Sequence, residues 1–569
     1  MVSRDLDGAK KLLETFPKVS NRSIPTQLQI SLANVCLMLA RFELAEKWLV
    51  SAYRQGAKDL DTYINLSGLL LASRKLDDLK PILEEGISIY PENATLLLNK
   101  ATCVNLAGDT KAAIEAANAA RAIEPTNPHI YYNLGKFFYD DKKFTVALRH
   151  YERAVRLKFD YSQAWINLGN CWRELNDPIK ALVAYKFALK FRPNYVPAIV
   201  NIGNSYLSLG KSLVAVFWLK SALALDTKSP HIWFNLGNAY YEALDLEKAG
   251  DCYTKAININ PNYSEAYVNR ALIDLTRKNY ERGWKDYEWR HKNSETQIFF
   301  EIHSLIVNKK AEDEITIVLS ELGYGDTIQF ARYVLRLADG SKDGIIFCVE
   351  PALYELFRTQ NWGKVTIVSK ASPIVSAGHA VTALSLPYLL NLTQPFKLSK
   401  YIKAPTDRVK IWRQFLGDKT KPRIGIAWQG NSLHKNDFRR SISLAEFLKI
   451  FTKNFELIVL QKLISQKDQE LIGKLDLDIV RPRISDFADT AALCELVDVV
   501  LSVDTSIAHV AGAVGKPHII LVPEIPDFRW GLWDQESVWY EQSYLVRQTS
   551  PRWDEAVKIA QSKLFDLLR

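Results

Sequence analysis

Apolar residues recur along this chain in two rhythms, and the change between them divides it. Through Tyr287 they keep helical spacing inside a unit that returns every 34 residues, most plainly in WINLGN at 165–170, IVNIGN at 199–204 and WFNLGN at 233–238. Gly135, Gly169, Gly203 and Gly237 share one phase, Ala147, Ala181, Ala215 and Ala249 a second, and Ala154, Ala188, Ala222 and Ala256 a third. Tyr151, Tyr185 and Tyr253 keep step, with Leu219 in the remaining place. Fainter marks, Ala33, Ala45 and Ala52, predict one more unit near 26–59. Beyond Ile315 the rhythm changes to short apolar, β-branched runs separated by helical segments, the signature of strands buried on both faces.

A 34-residue unit with small residues where helices cross resembles the tetratricopeptide repeat, two helices per unit. The resemblance implies a right-handed superhelix of about eight units with an inner groove, each unit burying its apolar face on its neighbours. Residues before about 25 are expected to cap it. GWKDYEWRHK at 283–292, aromatic and charged, is expected to pack on the next domain rather than expose the end of the array. A polar series runs through the same units: Asn65, Asn99, Asn133, Asn167, Asn201, Asn235 and Asn269. An amide donates and accepts at once, which suits it to the backbone of an extended peptide, but also to bridging neighbouring helices. In the superhelix of the nucleocytoplasmic O-linked N-acetylglucosamine transferases, asparagines at the matching place hold acceptor peptides, and this resemblance implies the same for the seven here. Asn170, Asn204 and Asn238 fall on another face and read as structural.

In the second half Ile315 to Leu319, 344–350, 364–369, Arg423 to Gln429, 455–461, Val499 to Val503 and the run after Lys516-Pro517 read as strands alternating with helices. Two such sets predict two Rossmann-like lobes whose ligands bind beyond the strand carboxyl ends. The boundaries read as repeats over 1–295, a linker over 296–311, a first, acceptor-side lobe over 312–405 and a second, nucleotide-sugar lobe over 406–569 closed by a C-terminal helix. The stretch 499–523 is the sharpest: a buried strand, then Asp504, Thr505 and Ser506 where a helix begins, then Gly515 where it stops. A helix starting at a strand end offers free N–H groups to a phosphate. Without a glycine-rich fingerprint, the spacing also fits a structural turn.

Composition narrows the classes. The chain has 569 residues, a net charge of +9 and 48% hydrophobic residues, with no long basic run, so nucleic acid is not expected as a partner. The N-terminus lacks the apolar core of a signal peptide and no long uncharged apolar stretch occurs, which predicts a cytoplasmic protein without a transmembrane segment. Six scattered cysteines without paired spacing predict reduced core residues rather than disulfides or zinc.

GYGDTIQFARY at 323–333, IGIAWQGN at 424–431, RRSISL at 439–444, DFADTAAL at 486–493, SVDTSIAHVAGAVGKP at 502–517 and PDFRWGLW at 526–533 look, in that order, like bacterial tetratricopeptide-repeat glycosyltransferases. Their catalytic half is similar to the heptosyltransferase-type enzymes of GT-B fold. The resemblance implies transfer of a sugar from a nucleotide-sugar co-substrate to Ser or Thr hydroxyls of a polypeptide held by the repeats, inverting, with no metal and no resident cofactor. It places Asp326 at the position of the family's presumed base; an Asp there also serves as a helix cap. Thr505 and Ser506 would hold the diphosphate, Asp504 sugar or ribose hydroxyls, and one of Arg439 and Arg440 a phosphate oxygen. His509 is expected either to point into the cleft or to stabilise its helix. Gln429, Asn431, Arg529 and Trp530 rank behind these for donor contacts, Trp530 with core packing as its alternative. Two other readings stand beside this one: a flagellin transferase using a nonulosonic-acid donor, and a scaffold that binds a nucleotide sugar without turning it over. A transferase for small molecules or lipopolysaccharide core leaves the repeats unexplained.

Overall fold

The computed structural model describes residues 24–292, 315–341, 344–371, 378–430, 437–550 and 552–569. The expected linker over 296–311, the capping residues before 24 and Asn431 lie outside the described residues. Two compact units divide the chain, the first ending at Thr227 and the second beginning at Lys228.

Among the described residues sixteen α-helices run in eight consecutive pairs from Thr26 to Tyr287, six pairs in the first unit and two in the second. Their starts are written in polar caps: Asp59, Asn93, Asp109, Asn127, Asp177 and Asp245 each accept a hydrogen bond from a first-turn N–H. Pro128, Pro178 and Pro230 stand at the first helical position, where the missing N–H costs nothing. The glycine and tyrosine phases turn out to be one contact. A Cβ added at Gly135, Gly169 or Gly237 would come within 2.7, 2.4 and 2.6 Å of the rings of Tyr151, Tyr185 and Tyr253, and at Gly203 within 2.7 Å of Leu219. A glycine in each first helix therefore lets a large side chain of the second lie flat on its backbone.

A further period emerges at the turn inside each pair. Ala40, Arg74, Gly108, Lys142, Asn176, Gly210, Leu244 and Lys278, again 34 apart, all adopt positive φ, between 55 and 94°. Only two are glycines, so the other turns carry left-handed backbone strain. Leu244→Gly, at a side chain 40% exposed, is expected to raise the melting temperature, gaining about 0.5–1 kcal/mol after the added freedom of the unfolded chain is subtracted. A decrease would show that the Leu244 side chain contributes packing that outweighs the strain.

The second unit continues with two wholly parallel sheets. The first has the order β3-β2-β1-β4, from β1 (Ile315–Leu319), β2 (Ile345–Val349), β3 (Val365–Ser369) and β4 (Gly378–Thr382). The second has the order β10-β9-β8-β5-β6-β7, from β5 (Arg423–Ala427), β6 (Glu456–Val459), β7 (Asp478–Val480), β8 (Val499–Val503), β9 (His518–Val522) and β10 (Ser543–Arg547). Numbered from β5, the second order is that of the doubly wound dinucleotide-binding sheet, with its switch point between β5 and β8. The first sheet reverses between β1 and β4. One apolar core joins the last helix pair (Leu275, Tyr280, Trp284, Tyr287) to the first sheet's layer (Val318, Phe330, Val334) and the second's (Val500, Ala508, Trp530, Tyr540). Trp284 meets Phe330 and Phe528 edge to face, ring centroids 5.9 Å apart in both cases. The aromatic end of the repeats thus packs as expected, and Asp534 pairs with Lys278 at 2.6 Å beside it.

Several elements differ from the sequence reading. β5 stops at Ala427 rather than Gln429, because the N–H groups of Trp428 and Gln429 turn to the side-chain oxygen of Gln461. One of the helices expected between the strands, after β5, is a single turn, Leu444–Phe447, capped by Ser443 and followed by a 3-10 turn. All six cysteines are buried and free. No described helix is long and apolar enough to cross a membrane.

Candidate functional site

The first sheet's switch point is filled from within the chain. Glu321, just past β1, is buried and receives the guanidinium of Arg290, Nη2 to Oε1 at 2.8 Å. Arg290 comes from the 3-10 turn Glu288–Lys292 that ends the repeats, and it also donates to Thr382 Oγ1 at 3.0 Å, Ser385 Oγ at 2.8 Å and Glu288 Oε1 at 2.7 Å. A buried arginine so satisfied leaves no room there for a ligand phosphate.

Asp326 comes next, in the first turn of the helix Tyr324–Gly340. Oδ2 accepts from the N–H of Gly323 at 2.8 Å, which realises the capping role. Oδ1 accepts from Arg529. Burial pushes the carboxyl above its ordinary pKa, Arg529 and the Gly323 N–H pull it down, and the carboxylates of Asp527 and Glu321 push it up again. Arg529 is the hub: Nε donates to Gln329 Oε1, Nη1 to Asp527 Oδ1 at 2.6 Å, and its face lies 4.4 Å from the ring centre of Phe528. Burial works against its charge, yet Asp326 and Asp527 hold it firmly protonated.

The second sheet's switch point presents the helix Ser506–Val514, with Thr505 as its N-cap residue. The Thr505 side chain makes no cap bond, and its hydroxyl is buried without a partner, as is the Gln329 amide nitrogen. Orphaned polar atoms in a protein interior each cost about 1–3 kcal/mol and mark places where a ligand or water belongs. Gly325 brings the two helix starts together: a Cβ on it would sit 2.7 Å from the His509 ring and 3.5 Å from the Ser506 backbone. His509 is buried, stacks on Trp530 at 5.3 Å and shares a 2.9 Å hydrogen bond with Tyr540 Oη. Burial, with Arg529 and Arg332 nearby, keeps it neutral. His509 and Trp530 are both packed in the core, which is the alternative expected of Trp530.

Asp504 has its pKa raised to about 6, first by burial and then by Asp527, against the opposing pull of the Trp530 indole, Arg440 and Arg529. The native state consequently binds this proton more tightly than the unfolded chain. Stability is lost as pH rises from about 4 through 6, and the cost persists at neutral pH. Asp504→Asn is expected to raise the melting temperature at neutral pH, by about 1–3 kcal/mol in stability, with the advantage shrinking as the pH falls toward 4. Equal melting curves for the two proteins at neutral pH would refute this.

Arg439 and Arg440 end a one-turn helix, Asp437–Arg440. Arg440 pairs with Asp437 at 3.0 Å across Gly430, where a Cβ would collide with both side chains, and its charge reaches Asp504. Arg439 grips Glu242 with both amino groups, at 3.0 and 2.9 Å. Glu242 and the neighbouring Tyr241 end the helix Pro230–Glu242 of the seventh pair, and the Asp527 carboxylate raises the Tyr241 hydroxyl pKa, after burial, to about 12. Gln429 is half-buried at the end of β5. Sequence reasoning missed Arg290, Tyr241, Glu242, Asp527 and Tyr540; the charged terminal unit and the PDFRW run were the available signals.

The asparagines mostly bind within the array. The Nδ2 groups of Asn65, Asn99 and Asn201 donate to Asn34, Ser67 and Asn170 at 3.3, 2.8 and 3.2 Å, and Asn269 donates to Asn238 at 2.9 Å. Asn170 and Asn238 also accept from Tyr185 and Tyr253 at 2.8 and 2.7 Å. Asn133 bonds to the carbonyl of His129 in its own helix, and Asn167 lies against the hydroxyls of Tyr132 and Tyr151. The bridging role is thus present in at least four of the seven. All seven, Asn235 included, stay half-buried.

A cavity of ≈ 800 Å³ lies elsewhere, lined by Lys400, Lys403, Pro405, Val514 and Lys516 at the opposite end of the Ser506–Val514 helix from Asp504. It touches none of the groups above.

Comparison with known proteins bears on the repeats. The human protein O-mannosyl-transferase TMTC3 is 24% identical over 167 residues, 29% of this chain but only 18% of its own length. The Cut9-Hcn1 hetero-tetramer of the APC/C is similar over 53% of this chain and 58% of that one, at 17% identity and a TM-score of 0.40. YrrB, a TPR protein with an unusual peptide-binding site, matches at 21% identity over 32% of this chain and 95% of its own, with a TM-score of 0.29. The tetratricopeptide repeat profile matches residues 162–195 and 230–263, and these segments are tetratricopeptide repeats.

Proposed function

We propose that the chain is a protein O-glycosyltransferase. The repeats hold a polypeptide, and the two parallel-sheet lobes, taken as a GT-B pair, transfer a sugar from a nucleotide-sugar donor to a Ser or Thr hydroxyl. The observation that carries the reading is the meeting of two helix starts, one from each lobe, at which Asp326 and Asp504 both feel Arg529 while the Thr505 hydroxyl stands buried and unpartnered. In this scheme the helix start at Thr505–Ser506 and the Arg440 guanidinium take the diphosphate, and Asp504 takes a sugar or ribose hydroxyl. The acceptor oxygen forms its bond to the anomeric carbon as the bond from that carbon to the phosphate oxygen breaks, with inversion. Asp326 receives the acceptor proton, its pKa raised toward the working range by burial. The similarity over 167 residues to a protein named for O-mannosyl transfer supports a polypeptide acceptor.

One observation favours the scaffold reading: both Asp326 oxygens are already engaged, by Gly323 and by Arg529. Two measurements decide. Nucleoside diphosphates and CMP are screened for thermal stabilisation, and one of them is expected to raise the melting temperature by several degrees at saturating concentration. Polypeptides incubated with the matching donor are then weighed intact. A mass gain of one sugar, absent with Asp326→Ala, supports the transferase. Nucleotide binding without any mass gain selects the scaffold, and a response to CMP with gain from a nonulosonic donor selects the flagellin-type reading.

A further inference from the structure

Two helices of the first unit depart from the design of the other second helices in its repeats. Pro178–Phe191 and Ser212–Leu225 are the second helices of adjacent repeats, and both are apolar on their outer as well as their inner faces, whereas Phe144–Leu157 is amphipathic. Ile179 and Val183 on one are 65% and 51% exposed, and Leu213 and Phe217 on the other are 75% and 65% exposed. These positions are 34 residues apart in pairs, 179 with 213 and 183 with 217, so the stacking of the units places them in one phase. The same phase holds Thr145 and Arg149 one repeat earlier, and Glu247 and Asp251 one repeat later. The apolar surface is therefore confined to two units.

Charge sorts the candidates for what covers it. Neither helix contains a carboxylate, and together they carry Lys180, Lys186, Lys190 and Lys220. Lys186 and Lys220 fall one helical turn beyond Val183 and Phe217, again in phase. Lys180 pairs with Asp177 at 2.9 Å while its side chain stays 58% exposed. A second copy of this face would set lysines against lysines, which disfavours self-association. Protein interfaces are poor in lysine and draw their affinity from Tyr, Trp and Arg, whereas this face offers aliphatic side chains, one phenylalanine and lysines. Long lysine stems lay their methylenes along apolar surface and lift the ammonium to a layer of phosphates. We propose that this face seats the protein on an anionic phospholipid surface, with Ile179, Val183, Leu213 and Phe217 entering the headgroup boundary and the lysines meeting lipid phosphates.

The test is flotation of the full chain with vesicles of phosphatidylcholine alone and of phosphatidylcholine mixed with phosphatidylglycerol. Binding is expected to the mixed vesicles only and to fall as salt is raised, each lysine contributing roughly five-fold. Leu213→Asp combined with Phe217→Asp is expected to lower binding by about ten-fold or more, with an unchanged thermal melt because both side chains are exposed. Lys186→Glu should weaken binding while leaving the melt alone. The proposal is overturned if the mixed vesicles bind no protein, or if the double variant binds them as well as the parent does. It is also overturned if light scattering shows a dimer of the parent chain that the double variant abolishes, which would assign the face to a second copy.

Discussion

An Arg529→Ala variant is expected to lose about 3–4 kcal/mol of stability at neutral pH, because it leaves the largely buried Asp326 carboxylate without its cation. Arg529 joins Asp326 to Asp527 and donates to Gln329, and it is 8% exposed. The sign of the pH response is specific. With the guanidinium gone, the Asp326 carboxyl, already raised by burial, rises further, so the native state holds a proton that the unfolded chain releases, and part of the lost stability returns on acidification. Arg529→Lys keeps a charge but not the planar fork that reaches three acceptors, and should fall between the two. Under the proposed transfer reaction, the alkaline shift of Asp326 also moves the acid limb of the rate profile to higher pH. A variant whose melting curve matches the parent at every pH would show that solvent, not Arg529, compensates these carboxylates.

The second large effect concerns an arginine that has no acid at all. Arg332, on the helix Tyr324–Gly340, is fully buried and satisfied by carbonyls and rings: Gln329 O at 2.9 Å, Phe396 O at 2.9 Å, Trp539 O, and the face of Tyr540 at 4.5 Å. Those acceptors come from the helix itself, from the chain that follows the first sheet and from the segment between β9 and β10, so one side chain ties three pieces of chain together. Arg332→Ala takes one donor from each of three carbonyls, of which Trp539 O keeps the Leu398 N–H, and opens a cavity under Tyr540. We expect a loss of about 3–5 kcal/mol in denaturant titration. Arg332→Met fills the volume and should recover the packing share but not the polar one. Equal losses for the two variants would assign the whole effect to hydrogen bonding.

Much of the architecture was legible because it rests on local pattern. β1 and β8 have the limits that apolar runs predict, and the helix after β8 ends at Gly515, whose φ of 77° explains the residue. The strands that escaped are those whose pairing comes from elsewhere. β4 contains Gly378, β7 has three residues, and β10 carries Ser543 and Arg547 at its ends, yet each is held by a parallel neighbour already in place. Tertiary context supplies there what propensity lacks.

The site was legible in part for a related reason. Helix starts announce themselves by spacing, and Asp326, Thr505 and Ser506 stand in first turns or caps as read. Which charges meet across 200 residues has no local signature. Arg529, by sequence a secondary donor contact, proves to be the partner of Asp326, while Arg439 is committed to Glu242 of a repeat helix. The asparagine series shows the same limit from another side. Its period is plain, but a half-buried amide in phase serves a neighbouring repeat or a bound chain equally well, and only coordinates show Asn269 reaching Asn238.

The last helix pair shares an interior with the sheets, the seventh is tied to them through Glu242 and Arg439, and the boundary between compact units falls before both, at Thr227. Insertion or deletion of whole 34-residue modules upstream of that boundary leaves every residue of the shared interior unaltered. Lineages bearing this design are therefore free to vary the length of the array as a ruler is cut, while the final two modules are bound to change only in concert with the sheets they brace.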